Sequence, residues 1–252
     1  MLRSGMGLAF AKEIIRTITP WSSNAEFERA LSRFIELCRE NSQKGYVGAA
    51  LQSLGLVTQT WHKQMVEPVS KHLQKIDPLA CEFFWRAAGG AMYFSPLNWL
   101  PGWSPYFTAE TEPADRSAKQ NARAGVAWPF TIVNLRQPGI MANFLQRKSN
   151  EIKDKDAWLN GVLSALIMAS ESVPGHYYVA KFCEYQPSGE AGRGPWNEYI
   201  GSDLMARVDT YRETLKKNHR LDEIFRYQNL ADLVASLESG EKNSSPDVLT
   251  AW

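Results

Sequence analysis

The chain has 252 residues, 44% of them hydrophobic and 22% charged, with a formal net charge of +1. That is an ordinary globular composition. Lys and Arg are scattered, so a nucleic-acid-binding surface is not expected, and no run of about 18 apolar residues predicts a membrane span. Cys38, Cys81 and Cys183 are far apart and lack CxxC spacing, which argues against a disulfide framework or a zinc site and fits a cytoplasmic protein.

Residues 5–18 carry apolar side chains at helical spacing and stop before Thr19-Pro20-Trp21. Lys12, Glu13 and Arg16 interrupt this run, so no signal-peptide core forms. Ser23 and Glu26 have the spacing of a capping box. It opens a second helix with Phe27, Leu31, Phe34, Ile35 and Cys38 along one stripe. An apolar helix near 45–59 and a more polar one across 61–76 repeat the hairpin, closed by Asp77-Pro78. The third unit starts LACEFFWRAAGGAMYF and then breaks at Ser95-Pro96, Pro101-Gly102 and Ser104-Pro105. Residues 95–115 are predicted to be the longest irregular segment, a lid or binding loop.

Pro129 lies inside the fourth apolar run and is expected to kink or shorten its helix. Pro138-Gly139 leads to a short helix ending near Lys148. DAWLNGVLSALIMASE is the fifth unit, with Asp156 near its dipole-positive start. It stops at Pro174-Gly175, and His176-Tyr177-Tyr178 begins the next helix. Residues 186–196 read as a glycine-rich loop, followed by helices over 201–217 and 220–238. Gly189 to Gly194 is either a flexible loop or a backbone cradle for an anion. No β-alternation persists, so the predicted class is all-α, with residues 1–239 as one repeat domain and 240–252 as a flexible tail.

A Gly-x-Ala unit recurs within apolar stretches: Gly7, Gly48, Gly89 and Gly125, with a degenerate copy at Gly161. The intervals are 41, 41, 36 and 36 residues, and Gly201 follows after 40. Such a period is the signature of stacked helical hairpins. Five or six hairpins are expected, forming an α/α toroid or a curved solenoid, with small residues letting helices approach closely.

Three segments resemble the enediyne-biosynthesis accessory proteins, a family that is a domain of unknown function. RSGMGLAFAKEIIRTITPW is similar to that family's glycine-alanine-methionine, apolar-run, Pro-Trp segment. FFWRAAGGAMYF resembles its Gly-x-Gly-x-x-Tyr/Trp-Phe segment. Asp156, Trp158 and Gly161 match its Asp-x-Trp-x-Gly-x-Gly-x-Ala helix, although the second glycine is Leu163 here. The resemblance implies a role in assembling a bacterial natural product, acting on a polyene or another lipophilic intermediate. It carries no catalytic residues over.

The residues themselves offer a few candidates. His176, near Glu171 and beside Tyr177, is either a general acid or base or a helix-start histidine satisfied by backbone. Arg86 and Glu82 are four apart on an aromatic helix and can share a face. They form either a solvated pair or a buried handle, in which Arg86 would clamp a carboxylate or phosphate, with Tyr93 nearby. The nine tryptophans, Trp99 and Trp103 among them, either fill gaps between helices or line a cavity for a lipophilic ligand. No metal-ligand spacing, aspartate-rich cyclase motif or Gly-x-Ser-x-Gly elbow is present. Taken with what the resemblance implies, the expected function is a cofactor-free isomerase, lyase or cyclase of natural-product biosynthesis, working on a polyene-like or isoprenoid substrate. The alternative is a non-catalytic helical-repeat module that binds a partner protein or a carrier-bound intermediate. A homo-oligomer is compatible with either.

Overall fold

The computed structural model describes residues 2–100, 104–175 and 177–240. Among them there is no strand, and the chain is all-helical. In order the helices are α1 (Leu2–Ile15), α2 (Asn24–Glu40), α3 (Val47–Leu51), α4 (Ser53–Trp61), α5 (Val66–Ile76), α6 (Pro78–Tyr93) and α7 (Pro105–Thr111). They continue as α8 (Arg116–Asn134), α9 (Pro138–Lys148), α10 (Lys155–Ser172), α11 (Tyr177–Cys183), α12 (Glu190–Tyr199), α13 (Leu204–Lys217) and α14 (Leu230–Glu238).

Local chemistry sets the helix starts. The capping box forms: the Ser23 hydroxyl accepts from the Glu26 N–H at 3.3 Å, and the Glu26 carboxylate accepts from the Ser23 N–H at 2.7 Å. Asp77, Asp115 and Asp154 cap α6, α8 and α10 by accepting from the Ala80, Ala118 and Ala157 N–H groups at 3.0, 2.8 and 3.0 Å. Each carboxylate also sits where a helix dipole is positive.

Four expected boundaries shift. The helix near 45–59 is two, α3 and α4, meeting at Gln52. The segment 95–115 holds a 3-10 turn, Pro96–Trp99, and α7, because Ser95 and Ser104 each cap a following proline-led turn. The glycine-rich stretch 186–196 is helical from Glu190, as α12. Residues 220–229 are not helical with α14: they form a 3-10 turn, Leu221–Phe225, and an extended connection, and Asn229 caps α14. Pro129 does not end α8, which runs on to Asn134. The Gly125 carbonyl, deprived of its helical donor by Pro129, faces Gly90 across the α6–α8 contact.

The row helices pack in sequence: α1 on α4, α4 on α6, α6 on α8, α8 on α10, and α10 on α13. They run in parallel. Gly7 faces Ala50 while Lys12 covers the Trp61 ring, Glu82 meets Ser117 while Tyr93 meets Phe130, and Gln120 meets Asp154 while Ala124 faces Gly161. Helices α2, α5, α7 and α9 flank the row on one side. The segment 219–229 crosses its other side. On α8, Arg123 turns to Glu110 of α7, and Asn121 turns to Tyr227. On α10, Trp158 turns to Phe144 of α9, and Asn160 turns to Gln228. Residues two apart on a helix point about 200° apart, so these contacts fix two opposite faces.

Glycine sets the row spacing. A Cβ at Gly89 would lie 2.1 Å from the Ala122 carbonyl oxygen, and one at Gly55 would lie 1.9 Å from that of Phe84. Both are backbone atoms that a side-chain rotation cannot move. The repeat is thus partly misregistered in sequence. Gly89 faces the following row helix, Gly125 and Gly161 face the preceding one, and Gly7 lies against Ala50 and Ser53, but on α4 the contact is Gly55. Gly48 instead faces the Phe83 ring and Asp222, and Gly201 lies in a turn with φ +84°.

Gly89→Ala is expected to lower unfolding free energy by about 1–3 kcal/mol, because α6 and α8 must separate. Gly5→Ala, where a Cβ meets nothing within 4 Å on α1, should instead gain up to about 1 kcal/mol from helix propensity. Chemical denaturation of the two variants measures this difference of sign.

Candidate functional site: a buried arginine beside a crossing strap

Arg86 sits mid-way along α6 at 4% exposure. Its Nε and Nη2 are buried without a hydrogen-bond partner, and no ion pair to it forms among the described residues. Burial alone pulls its pKa down to about 9. A guanidinium without a counter-charge is an expensive feature of a folded interior. One turn further on is Gly90, where an added Cβ meets nothing nearer than the Gly125 oxygen at 3.6 Å.

The expected Arg86–Glu82 pair does not form. Glu82 instead accepts from Arg226 at 2.8 Å and from the Ser117 hydroxyl at 3.3 Å. Tyr93 is half-buried, with its ring 5.1 Å from Phe94 and 5.9 Å from Phe130. Glu171 accepts from Lys216 at 2.9 Å. Tyr177 is 60% exposed, with its ring 4.0 Å from that of Tyr178. Trp103 and His176 lie outside the described residues, as does the Trp99 side chain. Tyr106, Phe130, Phe144 and Trp158 pack ring on ring at 4.9–5.8 Å. At that position aromatic residues fill space between helices.

The strap was not legible as a site. The Asp222 N–H donates to the Gly45 carbonyl at 3.0 Å, and the Gly48 N–H donates to the Asp222 carboxylate at 3.2 Å. The Tyr227 N–H donates to Asn121 Oδ1 at 2.6 Å, and Asn160 Nδ2 donates to the Gln228 carbonyl at 2.7 Å. The strap is thus held in turn by the α3 region, α6, α8 and α10. At its centre Glu223 accepts from Arg220 and, at 2.6 Å, from Arg226. Burial would raise the Glu223 pKa, but the two guanidinium groups outweigh it and hold it low. The one sequence signal was Asn229 ahead of Leu230-Ala231-Asp232, an N-cap pattern that separates the strap from α14.

Two open depressions border these elements. One of about 410 Å³ lies between the strap's end, α10 and α13, lined by Asn160, Leu163, Arg207 and Gln228 among others. The other, about 230 Å³, lies beside the Arg123–Glu110 pair and Asp154. Neither is lined by Arg86. Among the described residues no group of three His, Cys, Asp or Glu side chains is placed to hold a metal ion.

No family model matches this chain, and no curated protein or solved structure matches it either.

Two outcomes test the strap. Arg226→Ala leaves Glu82 and the buried Glu223 without a shared cation and should cost about 3–5 kcal/mol in chemical denaturation. Asp222 is raised from 3.8 to about 6, chiefly by burial. Below pH 3.8 its carboxyl is neutral in both folded and unfolded chains. As pH rises from there to about 6, the unfolded chain releases the proton first, so this group's contribution to stability is lost over that window. Asp222→Asn keeps an oxygen for the Gly48 N–H and should be more stable than the parent above pH 6, by on the order of 2 kcal/mol. The gain should vanish near pH 4 in paired melts.

Proposed function

We propose that the protein binds a lipophilic intermediate ending in a carboxylate or phosphate, and that Arg86 takes the anion. The observation that supports this is the buried guanidinium without a counter-charge. An anionic ligand would supply the missing charge through charge-assisted hydrogen bonds. This reading keeps the biosynthetic role implied by the resemblance to enediyne accessory proteins, with a polyene-like or isoprenoid compound as ligand. Its chemistry would be of the isomerase, lyase or cyclase type, with His176 as the acid–base candidate.

A second reading has its own support. The strap, a 3-10 turn with an extended connection, is already seated across the row by hydrogen bonds between its groups and those of the row, as a bound peptide would be. An open, curved solenoid offering that face to a partner protein or a carrier-bound intermediate is consistent with it. The sequential helix contacts favour the open solenoid over a closed toroid.

Arg86→Met tests the first reading. Removing an uncompensated buried charge should stabilise the empty protein by about 1–4 kcal/mol. It should also abolish the rise in melting temperature that decanoate or dodecyl phosphate gives the parent protein. A variant that melts lower than the parent, or that still responds to both compounds, overturns the assignment. Native mass spectrometry of the gently purified protein separates the readings: a small-molecule adduct supports the first and a protein partner the second.

A further inference from the structure

The parallel row has a consequence at its ends. Helices α1, α4, α6, α8 and α10 all finish at one edge of the molecule, and that edge is where the fold exposes its large apolar side chains. Trp21 follows α1 at 90% exposure, Trp61 ends α4 at 57% and Phe94 follows α6 at 66%. Val133 at the end of α8 is 52% exposed, and Val173, just beyond α10, is 48% exposed. Among the described residues every other exposed large hydrophobic side chain lies in a segment that leaves this same edge. Scattered exposed apolar residues need no explanation, but their gathering along one edge points to an interaction surface.

Charge says what covers it. Residues 14–23, 61–66, 93–109, 132–150 and 172–183 contain no Asp or Glu, although Asp and Glu together number 27 in the chain. Arg16, Lys63 and Arg136 are exposed there; Lys63 is paired with Glu112 at the end of α7, and Arg136 lies 4.4 Å from the Tyr178 ring. The opposite edge carries the Asp77, Asp115 and Asp154 caps. Cations near helix C-termini offset the dipoles, which accounts for the basic residues but not for the tryptophans and aliphatic side chains beside them. With neighbouring axes 8–10 Å apart, the edge is roughly 40 Å long. That is too extended for a single pocket. Tryptophan and tyrosine with basic residues in excess of carboxylates are the chemistry of a lipid headgroup boundary.

We propose that this edge rests on an anionic bilayer surface and that the protein docks there peripherally. No helix of the described residues is long and apolar enough to cross a membrane, so the contact is with the interface alone. The proposal uses none of the groups around Arg86 and stands whether or not Arg86 binds a ligand.

Sedimentation with vesicles tests it. The protein should pellet with phosphatidylcholine vesicles containing phosphatidylserine, less so with phosphatidylcholine alone, and less at high salt. The double variant Trp21→Ser/Phe94→Ser should reduce partitioning about tenfold or more. Arg16→Glu/Arg136→Glu should remove the preference for phosphatidylserine. All four positions are exposed, so melting curves should match the parent and separate lost docking from lost folding. Parent protein that stays in the supernatant with both vesicle types overturns the proposal. So does vesicle binding unchanged in the Trp21/Phe94 variant. A parent dimer in light scattering that Trp21→Ser/Phe94→Ser dissociates, with no vesicle binding, assigns the edge to a second copy and also overturns it.

Discussion

The close approach of backbone to backbone at Gly55, Gly89, Gly125 and Gly161 is the constraint on which the rest of the fold depends. At each of these a Cβ would fall within 1.9–2.4 Å of a neighbouring carbonyl oxygen. Row helices therefore sit closer than helices carrying larger side chains at the contact. Contacts of this kind are individually weak. Their value lies in denying space to anything else between α4, α6, α8 and α10. Long side chains on these helices must then leave the row towards one face or the other. One face takes the flanking helices and the aromatic stack around Trp158. The other takes the strap. Both layers of the molecule thus follow from a spacing that only glycine permits.

Much of this was readable in the residues, and the failures have common causes. Signals acting over a few residues survived: the Ser23–Glu26 box, the short helix led by Pro138 and the 3.6-residue stripe on α2. The glycine period was real on α1, α6, α8 and α10. It misled at Gly48 because the break at Gln52 moves the row contact to Gly55, seven residues on. The glycines of 186–196 suggested a loop, yet α12 is buried at Gly192, Trp196 and Tyr199, and that packing overrides their low helix propensity. Residues 220–229 were expected to share one helix with 230–238. Their hydrogen bonds go instead to Gly45, Gly48, Asn121 and Asn160, partners invisible to any local pattern.

The candidate site divides in the same way. Arg86 stood out in sequence as a charge on an apolar helix, and its burial is real. The spacing to Glu82 pointed to a partner that the fold gives to Arg226, 144 residues away. Helical spacing states which side chains can meet, and long-range packing decides which do. Taking Glu82 for the strap is what leaves Arg86 alone. The charge network of the strap and the solitude of the arginine are therefore two sides of one arrangement, since Glu82 is the only carboxylate one turn before Arg86 on α6.

The two proposed interactions also constrain each other in distance. Arg86 and Phe94 are eight residues apart, or roughly 12 Å along a helix axis. Gly90, where a Cβ would be in ordinary contact with the Gly125 carbonyl oxygen, lies between them. A ligand held at Arg86 by its anion and lying past Gly90 would bring its apolar end to the edge that carries Phe94. A molecule dissolved in a bilayer would meet that edge first with its headgroup, which must then travel inward to Arg86. The desolvation of that charged group opposes its entry, and the unpaired guanidinium provides the compensating attraction. A neutral lipid would gain nothing from the same path. In the proposed mode, therefore, the buried arginine selects for charge, while the apolar edge sets only where the molecule is collected.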